Sequence, residues 1–427
     1  MQHRKPIPPA VRLCFALAFP IVIAACGGGG GSDATPAPPP IDPPVVRGPT
    51  THQAASVVLG QPNAESFQIN GGGDISDKGL REPSGIALTP QGGLLVADSG
   101  NHRVLIFNSV PTSTGQAADA VIGQAGFTTG AFAHSQQGMS VPSGISIGAG
   151  KLAVADKFNN RVLIYNQIPR EGALVDPEVL IGQVEFEAFG SACGATGLNR
   201  PSAAFITPDN KLIVADTFNH RVLVWTTTPT VIPAPDPDLI LGQEDADHCM
   251  SNSGSPTDTP TASTLSSPTG IWSDGKRLVV SDSGNNRVLL WTDVSTASDF
   301  QAANIVVGHS SFTNGTANSE QDGQAQLPNP TARTLRGPEG VHSDGISLAV
   351  ADLLNQRVLF WNTFPQTNLQ AADVVIGQPN FDEGEPQDES GQPTTSQSLS
   401  DPAFVLLTPD ALIVSDQGNN RVLVYRR

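Results

Sequence analysis

The stretch Val96–Phe107 reads Val-Ala-Asp-Ser-Gly-Asn-His-Arg-Val-Leu-Ile-Phe, and close copies follow at Val154–Tyr165, Val214–Trp225, Val280–Trp291, Val350–Trp361 and Val414–Tyr425. Each copy keeps Asp, two residues, Asn, one residue, Arg, Val, Leu, one residue and an aromatic. The aspartates Asp98, Asp156, Asp216, Asp282, Asp352 and Asp416 are separated by 58, 60, 66, 70 and 64 residues. Self-similarity at such a period means that one small structural unit is built six times, and it overrides any reading that treats the segments singly.

Within the first unit, Ser84–Leu88 and Leu94–Ala97 are short apolar runs separated by the turn chemistry of Thr89-Pro-Gln-Gly-Gly93. A second turn at 98–102 leads into Arg103–Phe107, and Ala120-Val-Ile-Gly-Gln124 supplies a fourth run. Runs of four to six Val, Ile, Leu and aromatic residues between Gly, Pro, Asn and Asp are strand signals. Four antiparallel strands per unit, repeated radially, describe a β-propeller blade. The fourth-strand signature already stands at Val57–Gln61, ahead of the first full unit, while the last unit stops at its third strand. Pairing the two hides edges that would otherwise template aggregation. The expectation is an all-β propeller of six blades over residues 53–427, its last blade completed by the N-terminal strand.

The unit resembles the NHL repeat, whose pattern reads Pro-x-Gly-Ile…Val-x-Asp-x-x-Asn-x-Arg-Val, over roughly residues 55 to 427. The resemblance implies the fold. It leaves function open, because that family includes RNA binders, peptide-amidating lyases and sensor ectodomains.

The amino end has a different character. Arg4, Lys5 and Arg12 precede the apolar run Leu13–Ala25, too short to span a bilayer and suited to a signal-peptide core. Ile23-Ala24-Ala25-Cys26 resembles a bacterial lipobox, in which the cysteine is acylated and becomes the first residue. Gly27 in place of aspartate implies the outer membrane. Residues 26–52, rich in Gly and then Pro, read as a flexible tether. The expectation is therefore a protein anchored by lipid in the cell envelope. Removing residues 1–25 takes away three basic residues and no acid, so the formal charge of −17 becomes about −20. Six of the remaining Lys and Arg are the repeat arginines, and no basic patch is left for phosphates, which argues against nucleic acid. With Cys14 cleaved and Cys26 acylated, Cys193 and Cys249 remain. They lie in loops of successive blades in an oxidising compartment, and a disulfide between them is expected against two loop thiols.

Repetition separates scaffold from site. Asp98, Asn101, Arg103, Asp156, Asn159, Arg161, Asp216, Asn219, Arg221, Asp282, Asn285, Arg287, Asp352, Asn355, Arg357, Asp416, Asn419 and Arg421 face six equivalent environments and read as structure. The carboxylates are expected to accept N–H groups of their own turns, and the arginines to pair with them or with nearby carbonyls. Phe107, Tyr165, Trp225, Trp291, Trp361 and Tyr425 read as packing between blades. His102 and His220, in a slot otherwise held by Asn or Gln, read as solvated turn residues.

What differs between blades is concentrated in the loops 62–82, 125–141, 184–200, 244–267, 310–337 and 379–401, which run from each fourth strand to the next inner strand. Loops of this length usually carry function or disorder. Each ends at the proline that opens an inner strand. Arg81, Glu82, Asn199, Arg200, Arg336 and Asp401 stand just before those prolines and would ring the channel mouth, holding a polar or anionic ligand or pairing with one another. His342 is the lone histidine expected on an inner strand. Hydrolase, phosphate-loop and EF-hand motifs are absent. The acidic run Asp382, Glu383, Glu385, Asp388 and Glu389 offers a place for Ca2+; no other cofactor is expected. The leading expectation is a monomeric, non-enzymatic module presenting its loop face to an envelope protein, peptide or glycan. The alternative is a periplasmic metal-dependent hydrolase or lyase with its site in the channel, and a third reading is a purely structural envelope component.

Overall fold

A computed structural model describes residues 48–169, 175–385 and 394–427. The signal segment 1–25, Cys26, and most of the tether lie outside them, as do Asp388 and Glu389. Residues 48–52, which composition places in the tether, pack on the domain: Gly48 lies against Phe360 and Asn362, and the His52 N–H donates to Val375 O.

Six four-stranded antiparallel sheets form the ring. Blade 1 runs Pro83–Leu88, Leu94–Asp98, Arg103–Phe107 and Ala120–Ile122 from the axis outward. Blades 2 to 5 repeat that order, with inner strands Pro142–Gly148, Ala203–Ile206, Pro268–Ser273 and Pro338–Ser343. Blade 6 takes Pro402–Leu407, Ala411–Asp416 and Arg421–Arg426 from the carboxyl end and Val57–Leu59 from the amino end, in register Val57 to Val424 and Leu59 to Val422. The expected strand exchange closes the ring. Among the described residues there is no α-helix, only short 3-10 turns.

Every sheet is covered on both faces by its neighbours, which is why its strands are apolar along their whole length instead of alternating. Six hydrophobic clusters result, one between each pair of adjacent blades. The repeat aromatics fill them: Trp291 packs in the cluster of blades 3 and 4, Trp361 in that of blades 4 and 5, Tyr425 in that of blades 5 and 6. Around the axis the inner strands approach so closely that a Cβ on Gly85 would meet Ser143 O at 2.2 Å and one on Gly270 would meet Glu339 O at 2.2 Å.

The recurring spacing of Asp, Asn and Arg becomes one buried device repeated six times. Asp98 pairs across its turn with Arg103, and all six Arg Nε to Asp Oδ2 distances lie between 2.6 and 2.8 Å. The same oxygen accepts from the repeat asparagine, Asn101 in blade 1. The second carboxylate oxygen does not cap its own turn. It accepts the N–H of the loop residue two before the inner-strand proline: Arg81, Ser140, Asn199, Ser266, Arg336 and Ser400 in blades 1 to 6. The turn is closed by a backbone bond instead, so the carboxylate is free to reach the loop. Burial holds the Asp98 carboxyl above its usual range, with Arg103 and these donors pulling against it.

Each guanidinium then uses its remaining donors on two loops. Arg103 donates to Ser76 O and Gly79 O in the loop entering blade 1 and to Phe127 O in the loop leaving it. Arg421 donates to Thr395 O and Ser398 O, and across the closure to Ala64 O. Removing one partner of a buried pair strands the other, so Arg421→Ala should cost about 3–5 kcal/mol. A fall of that size in the denaturant midpoint, converted with the m value, is the expected result; Lys276→Ala, at an exposed pair, should shift it little.

Candidate functional site

The axial channel opens on the face that carries the long loops and the Asp-to-Arg turns. Its rim is set by a joint that also recurs six times. The residue just before each inner-strand proline is left-handed: Glu82, Val141, Arg200, Ser267, Gly337 and Asp401 have φ between 47 and 54°. This region is costly for side chains with a Cβ, above all a β-branched one such as Val141. Each is held there by the preceding blade. The N–H of Glu82 donates to Asn420 Oδ1, that of Arg200 to Asn160 Oδ1, that of Gly337 to Asn286 Oδ1 and that of Asp401 to Gln356 Oε1. In the two remaining blades the acceptor is a ring nitrogen: Val141 N–H to His102 Nδ1 at 3.0 Å, and Ser267 N–H to His220 Nδ1 at 2.9 Å. These histidines are therefore joints between blades and not solvated turn residues.

The six residues expected to ring the mouth do not converge on one point. Arg81 and Glu82 are exposed and pair loosely with each other, Nε to Oε1 at 4.0 Å. Asp401 accepts from Gln356 Nε2. Arg336 is exposed and turns to a separate hollow of about 560 Å³ that Asp382, Glu383 and Glu385 also line. Asn199 contributes its backbone to the Asp216 joint. Arg200 stands apart: its guanidinium lies over the rings of Phe158 and Phe218, 5.1 and 4.9 Å from their centroids, and it makes no ion pair among the described residues. His342 accepts the Leu407 N–H on Nδ1 at 3.2 Å, which requires a neutral ring, and burial pushes its pKa down to about 4.

Phe158 and Phe218 come from the middle of the Asp-to-Arg turns, where blades 1, 4 and 6 carry Gly100, Gly284 and Gly418 and blade 5 carries Leu354. Nearby, His134 stacks on Phe189 with centroids 4.1 Å apart and its Nδ1 lies 2.7 Å from Asn159 Oδ1, while Phe132 lies against His102 and His134. Of the twelve exposed large hydrophobic side chains among the described residues, nine (Phe67, Ile69, Phe132, Phe158, Val184, Phe189, Phe218, Met250 and Leu354) belong to the loops and turns of this one face.

Inside the mouth, the slot after the inner-strand proline holds Ser84, Ser143, Ser202, Thr269, Glu339 and Ala403 in blades 1 to 6. Glu339 is a channel carboxylate that a search for histidine alone passes over; the signal was its departure from a run of hydroxyls. Farther along, the channel becomes an apolar cavity of about 210 Å³ lined by Ile86, Ile145, Phe205, Ile271, Val341 and Leu406, with Ser146 and His342 as its polar edge. Among the described residues no three His, Cys, Asp or Glu side chains converge as metal ligands. A disulfide joins Cys193 to Cys249, Cα atoms 6.2 Å apart. It ties the loops of blades 2 and 3 that Arg221 also ties through Gly194 O, Gly197 O and Ala246 O.

The family model of the NHL repeat matches residues 80–107, the three inner strands of blade 1. No curated protein matches the chain. Among solved structures, an aldose sugar dehydrogenase from Streptomyces coelicolor, in its PQQ-bound form, is similar with 17% identity and a TM-score of 0.46, covering 83% of this chain and 96% of that one. A putative oxidoreductase (glucose dehydrogenase) from Thermus thermophilus is similar with 16% identity and a TM-score of 0.43, over 82% and 98% of the two chains. A gluconolactonase from Xanthomonas campestris shows 14% identity and a TM-score of 0.42, over 83% and 89%.

The histidine joints make a prediction about acid. Desolvation, with Arg81 nearby, lowers the His102 pKa, and desolvation lowers that of His220. A folded-state pKa below the unfolded value of about 6.5 leaves the unfolded chain holding more protons in acid. The contribution of these joints is then intact above that pH and falls away below it. His102→Asn with His220→Asn, the residue other blades use, should flatten the loss of thermal midpoint between neutral and acid pH; curves that run parallel to wild type would sink this account.

Proposed function

We propose that the protein is a lipid-anchored binding module of the bacterial envelope that presents the loop face of its propeller to a protein, peptide or glycan. The observation that carries this reading is the one-sidedness of the exposed apolar side chains: nine of twelve among the described residues lie on the face where the blades differ. Exposed apolar groups gathered on one face mark interaction surfaces, whereas scattered ones carry no message. Arg200 between Phe158 and Phe218 strengthens it, since an aromatic and arginine cluster is what interface centres concentrate. The rim is also rigid before any partner arrives, because the loops are held by buried guanidinium groups, and such preorganisation reduces the ordering cost of binding. In this reading Cys26 carries the acyl chains and residues 27–47 set the reach of the domain from the membrane.

Affinity capture from envelope extract, comparing wild type with the Phe158→Ala, Arg200→Ala, Phe218→Ala triple variant, tests the face. A wild-type partner that the variant loses is expected, with both proteins melting alike; identical partner sets would end the proposal for this surface. Separately, Cys26→Ser should move the protein from the membrane fraction to the soluble one, and a variant that stays membrane-bound would remove the anchor from the account.

A further inference from the structure

Two polar side chains interrupt an otherwise apolar ring inside the channel. On each inner strand one residue pairs with the position three before the repeat aspartate: Ala87, Ser146, Phe205, Trp272, His342 and Leu406 in blades 1 to 6. Four of the six are apolar and pack toward the next blade. Ser146 and His342 stand on blades 2 and 5, opposite each other in the ring, and each accepts a main-chain N–H of the next inner strand. Ile206 N–H donates to Ser146 Oγ at 2.8 Å and Leu407 N–H to His342 Nδ1 at 3.2 Å. The fold does not demand these caps. For the equivalent N–H groups, of Leu88, Ile147, Ser273 and Ser343, the capping slot holds Leu406, Ala87, Phe205 and Trp272, none of which can accept.

What remains on each group is a donor. With Nδ1 used as an acceptor, the neutral imidazole carries its proton on Nε2, and Ser146, its oxygen occupied by Ile206, keeps a hydroxyl hydrogen to give. Neither donor has a partner among the described residues, although Ser146 is only 6% exposed. Both groups line the cavity of about 210 Å³ whose remaining walls include Ile86, Ile145, Phe205, Ile271 and Leu406, and no Asp, Glu, Lys or Arg lines it. The cavity reaches Leu88, Ile147 and Leu407, at the ends of their strands opposite the prolines where the long loops arrive. A buried donor beside apolar walls is unfavourable until something accepts from it.

We propose that this cavity binds a small uncharged molecule with an apolar body and a carbonyl oxygen, the oxygen accepting from His342 Nε2 or Ser146 Oγ. Ketones, esters and amides share that chemistry. An apolar cavity of about 150 Å³ holds benzene, so this one has room for a ring with a short substituent. A carboxylate would find no counter-charge here, and a sugar would leave most of its hydroxyls against isoleucine, valine and leucine. The site lies at the other end of the channel from the loop face, so it stands or falls apart from the partner proposed there.

The test is ligand-observed NMR titration of the full chain with acetophenone, with α-methylstyrene, which keeps the shape but has a methylene in place of the oxygen, and with benzoate. Acetophenone should bind about tenfold more tightly than α-methylstyrene, the difference expected for a hydrogen bond made in a buried site, and benzoate should not compete with it. The double variant His342→Leu, Ser146→Ala puts in each slot a residue that another blade already uses, Leu406 and Ala87. It should bind the two probes alike, its retained affinity for α-methylstyrene showing that the cavity still forms. Absence of acetophenone binding by wild type, equal binding of both probes, competition by benzoate, or a preference that survives in the double variant would each overturn the proposal. Should the double variant fail to fold, the wild-type comparison of the two probes still decides.

Discussion

The interaction on which this ring depends is a carboxylate and a guanidinium buried with no exposed side-chain surface, six times over. A buried ion pair is poor evidence of stability in itself, since desolvating two charges costs about as much as their attraction returns. Its value here is geometric. A guanidinium has five N–H donors in a fixed plane and no acceptor. Once Nε is spent on the aspartate, the remaining donors must find carbonyls, and the carbonyls within reach belong to two different loops. The cost of burying the charge is thereby tied to holding those loops in one conformation. A leucine of similar volume would fill the space and leave the loops free.

The consequence runs around the ring. Arg103 holds the loops entering and leaving blade 1, Arg161 the next pair, and Arg421 returns to Ala64, in the loop that Arg103 also holds. Each loop is therefore clamped from both sides, and a second set of bonds, from the left-handed residue at the end of each loop to the preceding blade, fixes where the chain enters the channel wall. Backbone strain of about 1–3 kcal/mol per site is tolerable only where surroundings over-determine it, and here the surroundings are the blade joint. A left-handed joint that recurs in all six blades, strained in five and relaxed by Gly337 in blade 5, is architecture. It is no pointer to a site.

This separation explains what the sequence made readable. The Asp, Asn and Arg positions, the blade count, the exchanged strand and the packing role of the aromatics all follow from periodicity, because six copies in six like environments leave one interpretation. The partners of the carboxylate were not readable, since the N–H it accepts lies sixteen or seventeen residues upstream and nothing at that position is constant in type. The roles of His102 and His220 were hidden for the same reason: their acceptor function appears only when the next blade is in place. Glu339 stands out only in its own slot, directly after the inner-strand proline, where the other blades carry Ser, Thr or Ala; the slot of His342, three residues on, is mixed in every blade and gives no such contrast. Arg200 is legible as a rim residue from its place before an inner-strand proline, whereas its two phenylalanine neighbours sit inside the scaffold motif, where periodicity gives no sign of a surface role.

The exposed phenylalanines show how scaffold and surface coexist in one turn. The position before the repeat asparagine is glycine in blades 1, 4 and 6, where a Cβ would crowd the loop residue two before the inner-strand proline, as on Gly284 against Ser266 O at 2.8 Å. Phenylalanine at 158 and 218 leaves two rings about half exposed to water, an unfavourable arrangement for an isolated domain given the worth of burying such a side chain. Nothing in the joint requires it. Arg200 reaches over both rings from the adjacent loop, a contact favourable in its own right, and gives the patch a fixed positive centre with apolar walls. The three residues come from two blades, and their relative positions are set by Asp156, Asp216 and the Asn160 joint. Changing the surface chemistry therefore leaves the frame intact, and the frame delivers that chemistry at a fixed spacing beside the channel.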